Sequence, residues 1–463
     1  MFDLGLGKLV PVFVYAAALP VGIASILSKP QVGLLFLVPL LPLQNVMEKI
    51  HQYPMGKDLV DILLACIIIG LVRARMRKGV RIVQKTPLNV PIATYALFSF
   101  VSLLWGSAKL GVGLPLSGED FIRFMDWKNL MILPVLFCVT TTLFREKRWV
   151  DRMVLGIIAS LLVFDFFFYR EFRWVETYHY THDMRVGGAF SYLGPNETAA
   201  FLAQYMVFAA GLLPFMKRRL GFVALLCVLG FTGYCVMYSF SRTGYLALCV
   251  GIGFLLALRW RVGLIGFLLL LAFGKGLLPS SVIERIEMTV SSEEQRIESG
   301  ATFDSENGKE GKYDGSTESR FALFDEAIEL FKTSPLLGNG FRTFSQVYGM
   351  DAHNNFAKML AEGGAVGFLI YIYLYYVAFR AGMRLYRVAD GGVYKGLGLG
   401  FMSCVLTNAV NNLSHDNWMY INLMGFYWVL LGIVVSCADM CVEERKQLRE
   451  SGADQKRYSG NYS

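Results

Sequence analysis

Long apolar runs separated by short polar stretches dominate this chain. They lie near residues 9–28, 31–48, 58–73, 89–106, 128–144, 149–168, 198–216, 220–239, 243–259, 262–278, 358–380, 394–412 and 418–438. Most are long enough to cross a hydrocarbon core about 30 Å thick, which takes about 20 helical residues. Inside lipid every backbone N–H and C=O must be paired within the protein, so a spanning segment is either a helix or a strand of a closed barrel. Barrel strands are short and alternate in hydropathy, whereas these runs are long and continuous. The pattern predicts an all-α, polytopic integral membrane protein with about 12–13 transmembrane helices. The count turns on 9–48, which supplies either two crossings or one. The N-terminus, MFDLGLGKLVPVF, has no clear basic leader and no small-residue cleavage site, and is read as a retained first span.

The polar stretches fall into two alternating sets. One carries the basic residues: Arg73, Arg75, Arg77, Lys78, Arg81 and Lys85; Arg145, Lys147 and Arg148; Lys217, Arg218 and Arg219; Arg259 and Arg261; Arg380, Arg384 and Arg387; and Arg445, Lys446 and Arg449. The positive-inside rule places this set in the cytoplasm. The other set, 107–127, 169–197, 240–242, 279–357 and 413–417, then faces outward. This divides the chain into a first bundle (1–278), an outer loop region (279–357), a second group of spans (358–438) and a cytoplasmic tail (439–463).

Within the outer loop, 285–319 is acidic, rich in Ser and Gly and nearly free of aromatic residues, a composition that resists ordered packing. Its stretch 285–318 is read as a linker that either covers a site or only spaces its flanks. The stretch that follows differs. Phe321, Phe324, Ala327, Ile328 and Phe331 recur at helical spacing, with Ser319 as expected N-cap and Pro335 and Gly338 as the stop. This predicts either an amphipathic helix near the outer membrane boundary or a small packed subdomain.

Composition sharpens the picture. Of 463 residues, 55% are hydrophobic and 17% charged, against about a quarter charged in soluble proteins. The formal charge of +8 is accounted for by the loop asymmetry, so it does not point to nucleic acid. The eight cysteines lie in or beside apolar runs and show neither a disulfide framework nor metal-ligand spacing.

Candidate chemistry gathers on the outer side. Arg242 stands between two apolar runs, Arg320 at the start of the amphipathic segment, and His353 before the next span. Guanidinium forks bind phosphoryl oxygens in pairs and keep their charge, and a histidine can take a proton from a hydroxyl. Together they suit transfer from a lipid-linked diphosphate to a hydroxyl. The plainer alternative for each arginine is contact with lipid phosphates, and for His353 an inert loop position. His179, His182 and Asp183 have a His-x-x-His spacing but no evident further ligands, and no metal site is assigned. His415 and Asp416 mark another outer polar turn. Asp165, Asn408, Asn411 and Asn412 are polar exceptions within the runs.

At these residues the chain resembles the O-antigen ligase/polymerase superfamily of bacterial membrane glycosyltransferases. Arg185-Val186-Gly187-Gly188-Ala189-Phe190 with Pro195-Asn196, and Ser241-Arg242-Thr243-Gly244, are similar to motifs of that family. So are Ser319-Arg320, Gly338-Asn339-Gly340, Phe344, His353-Asn354 and Glu362-x-Gly364-x-x-Gly367. The resemblance implies an enzyme of the inner membrane, active on its periplasmic face. Its donor would be an undecaprenyl-diphosphate-linked glycan and its acceptor a lipid A–core sugar or another glycan, with no metal or other cofactor. Arg242 and Arg320 would bind the diphosphate, His353 would activate the acceptor hydroxyl, and Arg185, Asn196 and Asn354 would form the site wall. Partners would be these substrates and membrane lipids. Ligase is the leading expectation, with polymerase and protein O-oligosaccharyltransferase sharing the same donor chemistry. A polysaccharide-lipid transporter is the rival from another class, and a non-catalytic assembly partner a second.

Overall fold

The computed structural model describes residues 6–79, 81–112, 121–173, 175, 177–288 and 315–450. Seventeen α-helices are described: α1 (Leu6–Leu27), α2 (Pro30–Leu40), α3 (Gln44–Ile50), α4 (Leu59–Lys78), α5 (Asn89–Lys109), α6 (Phe121–Leu143), α7 (Lys147–Phe172), α8 (Pro195–Leu212), α9 (Arg219–Met237), α10 (Arg242–Arg259), α11 (Arg261–Phe273), α12 (Ser280–Glu287), α13 (Gly315–Thr333), α14 (Thr343–Tyr348), α15 (Asn355–Val388), α16 (Gly392–Asn411) and α17 (Ile421–Glu450). No strand occurs among the described residues. The all-α membrane architecture expected from the apolar runs is what the chain adopts.

Among the described residues, nine helices are long and apolar enough to cross a bilayer, or up to eleven if each of two sharply bent pairs counts as one span. The pairs are α2 with α3 and α11, extended to Leu277, with α12; each is bent by 111°. The runs at 58–73 and 128–144 fall on α4 and α6, which carry charges such as Asp61, Arg123 and Lys128. In the 9–48 region α1 is a full-length candidate span, and α2 with α3 is a bent pair. At 11 residues and about 1.5 Å per residue, α2 rises only about half the thickness of a hydrocarbon core.

Contacts between loops separate two ends of the bundle. At one end Thr142 donates to the carbonyl of Ile82 (2.9 Å), and Arg145 pairs with Glu443 (2.8 Å). There too Lys147 pairs with Glu444 (2.9 Å) and Arg445 with Asp390 (2.5 Å). The guanidinium of Arg259 lies over Phe215. The basic clusters thus gather at one end, as their alternation along the chain predicts. At the other end Asn45 N–H donates to Ala189 O (3.0 Å) and Asn355 N–H to Asn412 O (2.9 Å).

The core runs along α17, the most enclosed of the candidate spans. Beside it α8 and α16 approach until a Cβ placed on Gly211 would stand 2.3 Å from Gly400 Cα. Without a hydrophobic drive between helices in lipid, such close approach of small residues is a main source of packing energy. The polar exceptions in the spans each make at least one internal hydrogen bond. Asp165 accepts from Thr232 (2.6 Å), and Asn408 bonds both Tyr375 (2.6 Å) and Gln204 (2.8 Å).

Residues 289–314 of the acidic linker lie outside the described residues, and its flanks continue into α12 and α13. The amphipathic helix is present and stops before Pro335, but it begins at Gly315, so Ser319 sits inside its first turns and is not the N-cap. Its buried line also differs. Leu323 and Ala327, backed by Leu330, pack on Phe344, Ala352, Ala357 and Ala361, while Phe321 and Phe324 are exposed. Three of these four partners are alanines, which admit Leu323 and Ala327 closely. This is the packed-subdomain arrangement.

Candidate active site

The turn segment 335–342 frames the end of the bundle opposite the basic clusters. In α15, Gly364 leaves the helical conformation (φ 61°, ψ −165°), which frees backbone groups on either side. The segment fills the break. Asn339 and Gly340 N–H donate to Ala361 and Glu362 carbonyls (3.1 and 2.8 Å), and Ala365 and Val366 N–H donate to Pro335 and Leu336 carbonyls (2.8 and 3.1 Å). Both Gly340 (φ 109°) and Gly364 adopt left-handed backbone that strains any other residue. A Cβ on Gly340 would also meet Gly106 Cα at 2.2 Å. The glycines of the Gly338-Asn339-Gly340 and Glu362-x-Gly364 motifs are therefore there so that a loop can enter a broken helix.

This wedge carries Arg342 to the centre of an ion-pair chain. Arg342 pairs with Asp126 (2.9 Å) and Asp351 (2.8 Å). Lys358, fully buried, pairs with Asp351 (3.2 Å) and with Asp416. Glu362 accepts from the backbone N–H of Arg342 (3.0 Å) and Phe344 (3.2 Å). Burial pushes the Asp351 carboxyl up, but Lys358 and Arg342 outweigh it and hold it below the usual carboxylate range. The same carboxylates raise Arg342, against a burial that lowers it. The chain ties α6, the wedge, the start of α15 and the 412–420 turn together.

His353 follows two residues after Asp351. It is exposed and left-handed (φ 48°), between Asp351 and the helix. Asn354 accepts from Phe356 and Ala357 N–H (3.0 and 3.1 Å) and caps α15. That cap role accounts for Asn354 without any part in the site wall. The backbone strain at His353 is of the kind concentrated at functional sites.

The arginines reach this end from other elements. Ser241 caps α10 by accepting from Gly244 N–H (3.4 Å) and so sets Arg242 on the first turn. Arg185 donates to Asn196, which lies behind Pro195 in the first turn of α8; the cap there is Gly194, not Asn196. Burial pulls the Arg185 pKa down; Tyr180 opposes this, and the positive charges of Arg320 and Arg242 add to the fall. His415 is buried, with Nδ1 3.2 Å from Asn411 O and Nε2 without a partner. Burial, then the charges of Arg320, His353 and Arg185, push its pKa down to about 3, against the Asn411 bond. Arg185, Arg242, Arg320, His353 and His415 therefore share one electrostatic neighbourhood. Several guanidinium groups repelling one another in a partly desolvated place favour an anion among them.

His179 and His182 stand apart. His179 pairs with Glu284 of α12 (3.0 Å), and no group of three or more His, Cys, Asp or Glu suited to a metal occurs among the described residues. The residues that sequence reasoning missed are Asp126, Arg342 and Lys358, and Glu362 was noted only as part of a motif. A signal existed: Lys358 and Glu362 are charges inside an apolar run, and such charges need partners.

Fold and site define a polytopic helical membrane protein with cations gathered on one face. Residues 222–372, about a third of the chain, match a family model described as O-antigen ligase. The match supports a relation of this segment to the O-antigen ligase/polymerase superfamily, whose members are glycosyltransferase-like membrane enzymes. The match includes Arg242, Arg320 and His353 and leaves Arg185, Asn196 and His415 outside it. No curated protein matches the chain.

Proposed function

We propose that the protein transfers a glycan from an undecaprenyl-diphosphate carrier to an acceptor hydroxyl at the periplasmic face of the inner membrane. The observation that supports this most is the shared neighbourhood of Arg185, Arg242, Arg320 and His353. The acceptor oxygen attacks the anomeric carbon while its proton passes to the His353 imidazole. The bond from that carbon to the diphosphate oxygen breaks, its electron pair stays on the diphosphate, and the configuration inverts. Arg242 and Arg320 hold the diphosphate and stabilise the charge that grows on it. The guanidinium groups supply the positive charge that a divalent cation would otherwise provide. Arg185, held by Asn196, adds to the same field.

Lipid A–core is the acceptor we favour, which makes the protein an O-antigen ligase. A polymerase or a protein O-oligosaccharyltransferase would use the same donor groups. Deletion separates them: loss of a ligase leaves bare core and accumulated carrier-linked polymer, loss of a polymerase leaves core with single repeat units, and unaltered lipopolysaccharide with loss of glycoprotein points to protein acceptors. The transporter reading draws on the broken helix at Gly364. Against it, the freed backbone groups there are paired with 335–340 and not left open toward a passage.

A further inference from the structure

A groove of about 450 Å³ lies at the basic end, far along α15 from His353. Its walls come from Pro87 and Leu88 ahead of α5, the second half of α15, and Val435 and Ala438 of α17. The α15 wall carries a stripe: Tyr373, Tyr376, Arg380, Arg384 and Arg387 follow at three- and four-residue steps, which places them on one helix face, with Val377 beside them. The stripe is ordered along the helix axis, aromatic and apolar toward the bundle interior and cationic toward its end.

The charges in this wall are not balanced by the protein. Arg384 pairs with Asp439 (3.0 Å). The Arg380 guanidinium lies 5.9 Å from the Tyr376 ring centroid. Neither Arg380 nor Arg387 has a carboxylate partner among the described residues, so the groove keeps two surplus cations. By contrast Arg145, Lys147 and Arg445 at the same end each face a carboxylate.

The geometry points to a binding site for an anionic glycerophospholipid of the adjacent leaflet. Its phosphate meets Arg380 and Arg387, and an acyl chain runs along Tyr376, Tyr373 and Val435. The order of chemistry along the stripe matches the order along such a lipid, from phosphate to chain. Basic pockets between spans on the cytoplasmic side are suited to acidic head groups, with each cation contributing about 1 kcal/mol of attraction. The assignment is independent of the transfer chemistry at the other end.

The test is phosphatidylglycerol bound to the full chain in detergent, read by native mass spectrometry, with phosphatidylcholine, inorganic phosphate and a polyprenyl phosphate as competitors. The wild type should retain phosphatidylglycerol against phosphatidylcholine and against inorganic phosphate. The Arg380→Gln/Arg387→Gln double variant should lose about 30-fold in apparent affinity. Lys217→Gln/Arg218→Gln, at the same end but outside the groove, should change it by no more than about twofold. Undiminished binding in the first variant, or equal losses in both, overturns the proposal. Displacement by inorganic phosphate alone reduces the groove to an anion site and also overturns it. So does a preference for polyprenyl phosphate, which would assign the groove to a carrier lipid.

Discussion

At the basic end of the bundle Arg145, Lys147 and Arg445 meet Glu443, Glu444 and Asp390 with a third or more of each side chain exposed. At the opposite end Lys358 meets Asp416 with 0% and 6% exposed, and Arg342 meets Asp126 and Asp351 largely withdrawn from water. The same residue types serve different ends. Exposed pairs contribute about 0–1 kcal/mol and here mark the side of the bundle. Buried pairs add little net stability as intact units, but removing one partner costs about 3–5 kcal/mol, so they enforce one arrangement. At the end opposite the basic clusters that arrangement carries the turn that bears His353.

The contrast can be broken most forcefully at His353. His353→Ala should lower transfer by about 10²–10⁴-fold, the usual worth of a general base, with the protein still inserted at normal levels. Surface-glycan analysis beside a membrane blot reads both; full activity in a stably made variant sinks the base assignment. Next is Lys358→Met, which leaves Asp416 and Asp351 without their buried cation and should destabilise the fold by about 3–5 kcal/mol. Thermal unfolding in detergent measures it, and pairing it with Asp416→Leu should recover part of the loss. A smaller effect is expected for Arg242→Lys, which keeps the charge and loses the fork. Transfer should fall about tenfold or more, and unchanged donor binding would count against the clamp.

A pH comparison sharpens the same contrast. The folded pKa of His415 is about 3, below its ordinary value near 6.5. A histidine depressed in this way favours the fold fully above about pH 6.5 and loses that stability as pH falls toward 3. The unfolding temperature of the wild type should therefore drop more between pH 7 and pH 4 than that of His415→Asn. The smallest effect belongs to the other end: Arg145→Gln should shift stability by less than about 1 kcal/mol, and a larger shift would erase the distinction between the two ends.

Much of this was legible in the chain. The apolar runs mark the helices because lipid leaves the backbone no other solution, and the basic clusters do fall at one end. Arg242, Arg320 and His353 stood out because each borders an apolar run. The ion-pair chain was not legible, since Asp126, Arg342, Asp351, Lys358 and Asp416 come from separate segments whose adjacency only the fold supplies. Nor was the wedge: its partners at 335–340 and 361–366 are backbone groups, which leave no side-chain signature beyond the glycines that permit them. Asn196 and Asn354 were read as walls. Asn354 caps α15, and Asn196 accepts a hydrogen bond from Arg185.

The convergence of arginines and histidine is tested most directly by separating binding from transfer. A short-chain polyprenyl diphosphate is titrated into purified wild type, Arg242→Gln/Arg320→Gln and His353→Ala, and transfer is measured with the natural donor in the same preparations. If the arginines hold the diphosphate and His353 takes the proton, His353→Ala binds as the wild type does and does not transfer, while the arginine variant fails to bind. Wild-type affinity in the arginine variant would contradict that division of roles.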